Sequence, residues 1–243
     1  RSGGGRSLLE FSRTVESWRD VFLGALGHDL RGPLAAVVGT AELLADTAQG
    51  TPHAHQAARI LSGGQHLSRL VDGLLDYSKS TLGAGMPLHR IACDLGEAVA
   101  AELDLLQAAL PEAPLRLQVQ GATHGYFDDA RIREALHNLV TNAVKYGERA
   151  APIDVALTGD ARNVRIAVSN TGQPLSSDAL HALFDPLRRG SLPARKGGHA
   201  SLGLGLFLVR EIAIAHGGDV AAHVEEGVTT FVIHLPRGDT PAA

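Results

Sequence analysis

Three short segments hold residue types suited to handling phosphate. The first is His28-Asp29-Leu30-Arg31-Gly32-Pro33-Leu34, a histidine directly followed by a carboxylate. Neutral imidazole is a nucleophile, and attack on phosphorus through one ring nitrogen leaves the other to lose its proton. Asp29 can orient the ring and accept that proton. Pro33 removes one helical hydrogen bond just beyond the pair. A solvated His-Asp pair beside a proline fits this segment equally well. The second segment is His137-Asn138-Leu139-Val140-Thr141-Asn142-Ala143-Val144-Lys145-Tyr146. Asn138 and Asn142 sit at helical spacing and share one face. Two amide oxygens there suit Mg²⁺, which takes oxygen ligands and keeps several waters. Lys145, at the helix end, is in reach of a phosphate, and Tyr146 can cover an adenine ring. Two Asn on a helix also read as merely solvated. The third is Ser201-Leu202-Gly203-Leu204-Gly205-Leu206, ahead of an apolar stretch that closes on His216-Gly217-Gly218. Glycines before a helix let backbone N–H groups approach phosphate oxygens, and the helix dipole favours the anion.

Two kinds of element must position these segments. Leu8, Phe11, Val15, Trp18, Phe22 and Ala25 recur in steps of three and four, and the series continues through Leu30, Leu34 and Leu44. Gly50-Thr51-Pro52 breaks it. A second series runs through Ile60, Leu67 and Leu74 and ends near Ser78. The pattern predicts an all-α antiparallel helical hairpin, and a hairpin of this length buries enough surface only by dimerising into a four-helix bundle. Thr81–Gly85 reads as a flexible hinge. Beyond it the pattern is mixed, of α/β (α+β) type. Strands are predicted at Leu115–Val119, Ile153–Leu157, Val164–Val168 and Thr230–Leu235, with a turn at Gly159-Asp160. Helices are predicted at Asp128–Tyr146 and Leu204–His216, and Gly190–Ser201 reads as a mobile loop.

Composition narrows the class. The 243 residues suffice for two compact domains, and 44% hydrophobic content supports a real core. A net charge of -4 without a basic cluster argues against nucleic acid as partner. The single cysteine, Cys93, excludes an intrachain disulfide, and its apolar stretch predicts a small buried thiol. No apolar run approaches the ~18 residues of a membrane-spanning helix, so no direct membrane contact is expected of this fragment. The expected location is cytoplasmic, either as a free protein or as the cytoplasmic part of a membrane-bound one. The start at Arg1, followed by Ser2-Gly3-Gly4-Gly5, suggests a fragment whose N-terminal input module is missing.

Taken together, the segments resemble the sensor histidine kinases of two-component systems. His28-Asp29-Leu30-Arg31-x-Pro33-Leu34 resembles their H box, and Asn138-x-x-x-Asn142-Ala143-x-Lys145-Tyr146 their N box. Ser169-Asn170-Thr171-Gly172-Gln173-Pro174 stands at the G1 position. Leu183–Gly190 looks like the F box, and Gly203-Leu204-Gly205-Leu206 like the G2 box. The resemblance runs from about Leu8 to Pro236. It implies a linker at 1–7, a dimerisation and histidine phosphotransfer domain at 8–82 and a hinge at 83–87. A catalytic domain at 88–238, a Bergerat-type ATP-binding sandwich, and a tail at 239–243 would follow. It also implies ATP and Mg²⁺ as cofactors and a homodimer. His28 would be the phosphoacceptor and the receiver domain of a separate response regulator the partner. Asn142 and Asn138 would hold the metal, Lys145, Ser201, Gly203 and Gly205 would meet phosphate, and Asn170, Gly172 and Tyr146 would form the adenine end.

The departures from the family pattern are informative. Asn170 replaces the usual Asp; its amide oxygen still accepts a hydrogen bond from the adenine amino group, without charge. This Asn-x-Gly-x-Pro version resembles phytochrome-type kinases. Pro174 stiffens the start of the lid, Ser201 replaces a G2 glycine, and Val228 stands where many relatives have glycine. Gly32 occupies the position where many members carry Thr or Asn to position water for dephosphorylating the regulator, so weak regulator-phosphatase activity is expected. Two rival readings differ in class. An ATP hydrolase of the same superfamily would carry Glu where Asn138 stands. The altered glycine boxes motivate a degenerate nucleotide-binding dimer that acts as a scaffold.

Overall fold

The computed structural model describes residues 29–81, 86–172, 180, 183–185 and 204–238. The chain divides into two compact units, Arg1–Gly85 and Met86–Ala243.

In the first unit, helix α1 covers 29–47, and Gly50-Thr51-Pro52 lies in the turn before α2, Ala54–Thr81. Small residues let the helices approach: Ala41, Ala48 and Ala57 are buried, and a Cβ on Gly64 would meet a Val38 methyl at 3.1 Å. Nearer residue 29, Arg31 pairs with Asp72 at 2.6 Å. Later residues of α1 thus meet earlier residues of α2, and the hairpin is antiparallel. Val37, Leu43, Leu44, Ile60 and Leu67 remain exposed on it.

The second unit is built on a mixed sheet of five strands in the order β2-β4-β5-β7-β6. These are β2 (Leu115–Gly121), β4 (Ile153–Gly159), β5 (Asn163–Thr171), β6 (Asp219–Glu225) and β7 (Val228–Pro236). Among the described residues only β2 and β4 run parallel, which requires the long crossover between them. A separate antiparallel pair joins β1 (Ile91–Asp94) to β3 (His124–Phe127). Helices α3 (Leu95–Ala109), α4 (Asp129–Tyr146) and α5 (Gly205–Ala215) cover one face of the sheet. The alternation of the strands explains the layering. Ile153, Val155 and Leu157 of β4, Val164, Ile166 and Val168 of β5, and Phe231, Ile233 and Leu235 of β7 point into the core. Asp154, Thr158 and Arg165 face away and are exposed.

The strands and helices predicted beyond the hinge all occur, β4 and β5 joined across the Gly159-Asp160 turn; the part of the first predicted helix that precedes residue 29 lies outside the described residues. The sequence pattern leaves α3, β1, β3 and β6 unassigned. Cys93 departs from expectation: it is half-buried on β1, its thiol 3.9 Å from the Phe127 carbonyl. A four-residue strand pairing only with β3 does not enclose it. Burial still pushes its pKa up. The predicted mobile loop 190–201 and most of the hinge lie outside the described residues. Among the described residues, no helix is long and apolar enough to cross a membrane.

Candidate functional site

Helix α4 begins with Asp128 as its N-cap, the carboxylate accepting from Arg131 N–H at 3.1 Å. Ile132, Ala135, Leu136, Leu139, Val140 and Ala143 give it a fully apolar inner face. The helix is thereby fixed on the sheet, and Asn138 and Asn142 lie half-buried on a different side. The Asn138 amide nitrogen donates to Glu134 O at 3.0 Å, which orients the side chain. Its oxygen faces Gly205, the first residue of α5, where a Cβ would sit 3.1 Å from it. Leu204, the N-cap of α5, makes no side-chain cap hydrogen bond. An anion can therefore use the first N–H groups of α5.

The other end of α4 meets the end of β5. Gly147, which follows Tyr146, bridges to Gly172. A Cβ on Gly172 would lie 3.0 Å from Tyr146 O and 3.3 Å from the Asn170 amide nitrogen. Asn170 itself is buried, donating to Thr171 O at 3.3 Å. Lys145 Nζ stands 5.1 Å from the centroid of the Tyr146 ring. The fold thus brings Asn138 together with Gly205, and Tyr146 together with Asn170 and Gly172, along one helix. Phe184, from the F-box segment, is buried edge-on against Phe231 with ring centroids 6.2 Å apart.

Asp29 is exposed on α1 in the other unit. His28, Ser201 and Gly203 lie outside the described residues, as does Pro174. Among the described residues, no group of three or more His, Cys, Asp or Glu forms a metal site. The amide oxygens of Asn138 and Asn142 are candidate donors to a cation.

Two family models match the chain. One, "His Kinase A (phospho-acceptor) domain", covers residues 18–83, and the other, "Histidine kinase-, DNA gyrase B-, and HSP90-like ATPase", covers 127–239. The sensor protein KdpD of Escherichia coli K12 is 34% identical over 230 residues, which is 93% of this chain and 25% of KdpD. The chain belongs to the sensor histidine kinases and carries their catalytic core. Sensor histidine kinase GlrK of E. coli K12 is 32% identical over 91% of this chain and 47% of its own length. A bacteriophytochrome of Pseudomonas aeruginosa is 28% identical over 94% of this chain and 31% of its own length. The chain therefore spans between 25% and 47% of these relatives. Among solved structures, full-length ShkA in complex with AMPPNP matches with a TM-score of 0.65 and 26% identity, over 90% of this chain and 46% of ShkA. The Acinetobacter baumannii histidine kinase AdeS shares the fold, with a TM-score of 0.60 and 21% identity over 87% of this chain and 98% of AdeS.

Two contributors to the kinase site escape the motif reading. Gly147 allows the close approach of α4 to β5; a glycine directly after the last periodic residue of a helix is the signal for it. Glu134 orients Asn138 through its backbone carbonyl, which no sequence pattern reveals. A separate open cleft lies near β1 and β3, lined by Asp94, Glu97, His124, Arg162 and Arg237. Pro236, at its edge, pairs with the start of β5, the end opposite to Asn170. Asp94 there accepts from Thr123 and from Gly96 N–H, and these bonds hold its carboxyl below the usual range.

Proposed function

We propose that this kinase core binds ATP with Mg²⁺, phosphorylates itself on His28 and passes the phosphoryl group to an aspartate of a separate response regulator. The convergence of Asn138 and Gly205 carries this reading, in a chain whose phospho-acceptor segment contains His28. The donor set fits the ligand. Amide oxygens of Asn138 and Asn142 suit a hard cation, and a glycine with uncapped helical N–H groups suits a polyanion. Gly172 leaves room where a Cβ would press on Tyr146 and Asn170, at the adenine end.

In this reading Asn142, with Asn138, holds the metal, which when bound neutralises charge on the phosphate oxygens. Lys145, Ser201, Gly203 and Gly205 bind phosphate, while Asn170, Gly172 and Tyr146 hold the base. His28 forms the N–P bond as the γ-phosphorus leaves its bridging oxygen. Asp29 orients the imidazole and takes the proton released. The exposed apolar residues of the hairpin, including Leu43 and Ile60, support a homodimer built through it. A sensor module outside this chain supplies the input, and the reaction runs in the cytoplasm, where ATP is available.

The test is incubation with ATP labelled at the γ-phosphate and Mg²⁺. Acid-labile, base-stable label that disappears in His28→Gln is the expected result. Intact nucleotide binding without any label overturns the kinase reading and leaves a scaffold.

A further inference from the structure

Helices α4 and α5 run antiparallel and are pinned to each other at two places. One pin is Gly205 against Asn138. The other joins His216, the C-cap of α5, to Asp128, the N-cap of α4. Each pin-to-pin span is about 15 Å of helix. His216 is 1% exposed. Its Nε2 accepts from the Asp128 N–H at 3.1 Å, so its proton is on Nδ1, which donates to Ile212 O at 2.8 Å. The Asp128 carboxylate also accepts from His89 N–H at 2.8 Å, and Arg90 Nη2 donates to Ala215 O at 2.9 Å. The strap that follows residues 82–85 is thus bonded to both helix ends at this second pin.

We infer that His216 is a positioning residue for nucleotide binding: through the Asp128 N–H it holds α5 in register with α4, so that Gly205 faces Asn138. The inference rests on the nucleotide reading of those two residues. It gains force from the lack of slack at the first pin. The Asn138 amide is held by Glu134, and a small axial slip of α5 would either press on its oxygen or withdraw the helix N-terminus from it. Charged groups face His216 from the strap, as Arg90, and from α4, as Asp128; Phe127 of β3 lies against it with ring centroids 6.4 Å apart. Protonation of Nε2 would set two donors against each other at the pin.

The experiment uses the whole chain and measures AMPPNP affinity with Mg²⁺ by calorimetry. His216→Leu should weaken binding on the order of tenfold, because the Asp128 N–H loses its acceptor. His216→Gln, which keeps an acceptor, should restore most of it. As the pH falls below 6.5 the wild type should lose affinity more steeply than His216→Gln, which has no imidazole to protonate. A folded His216→Leu with wild-type affinity overturns the inference. If His216→Leu does not fold, superimposable pH profiles for wild type and His216→Gln overturn it instead. Failure of the wild type to bind AMPPNP at any pH overturns the nucleotide reading and this inference with it.

Discussion

Gly205 lies against Asn138 so closely that a Cβ on the glycine would stand 3.1 Å from the asparagine oxygen. Alanine there favours the first turn of α5 as a helix former but presses on the oxygen that is proposed to meet the metal. Gly205→Ala should therefore leave the melting temperature within a few degrees of wild type, a change under ~1 kcal/mol. It should weaken Mg²⁺-nucleotide binding several-fold. Calorimetric titration beside a thermal melt separates the two effects.

Asn142 should be more sensitive, because it is proposed as the principal metal ligand. Asn142→Ala should lower the rate of His28 labelling by about a hundredfold or more, the scale for losing an electrostatic contact at a reacting phosphate. Arg149→Ala provides the contrast. Its pair with Glu112 has both side chains about four-fifths exposed, and such pairs contribute little. The labelling rate of Arg149→Ala should match wild type.

Much of this site is legible in the sequence because one helix carries it. Asp128 announces the start of α4, and its buried residues from Ile132 to Ala143 recur at a single helical period. β4 and β5 are equally plain, alternating apolar and polar residues up to a glycine-aspartate turn. Elements with weaker contrast do not show. In α3, Leu105 is exposed while Leu103 and Leu106 are buried, and alanines fill the rest, so no face stands out. β6, Asp219–Glu225, is an edge strand with two adjacent alanines and no fully buried residue to mark it. The parallel pairing of β2 with β4 is a tertiary choice. His216 reads as a helix-ending residue, and only the packing reveals that its ring is buried against Asp128.

His216 and Asp94 both contribute to the acid side of stability, with the same sign. Burial pushes the His216 imidazole below its ordinary 6.5, so the unfolded chain binds the proton more readily. The stability from neutral His216 is complete above pH 6.5 and falls as pH drops from there toward its folded pKa. Asp94 acts lower: its carboxyl is held below 3.8, first by Thr123, so its contribution is lost as pH falls from 3.8 through the folded value. Urea melts should show a decline beginning below pH 6.5 that is absent in His216→Gln, and a second step in strong acid. Asp94→Ala should cost about 1 kcal/mol at neutral pH through loss of the α3 N-cap. A His216→Gln curve identical to wild type between pH 5 and 7 would remove the imidazole from this account.

Gly32 tests the balance between kinase and phosphatase. It lies inside α1 with nothing within 4 Å of where a Cβ would be, so no steric reason requires glycine. An exposed glycine in a helix interior is disfavoured relative to alanine by roughly 0.5–1 kcal/mol, and Gly32→Ala should stabilise the hairpin by about that amount. Gly32→Thr also fits the open space. It adds the hydroxyl that many family members place four residues after the phosphorylated histidine. Incubated with a phosphorylated regulator, wild type should remove phosphate slowly, and Gly32→Thr should remove it faster at equal protein concentration. Rapid loss of phosphate with wild type would show that water is positioned without a side chain at 32. If Gly32→Ala instead loses His28 labelling while gaining stability, the glycine serves a bend beside Pro33 that phosphorylation needs, and its cost to the helix is then part of catalysis.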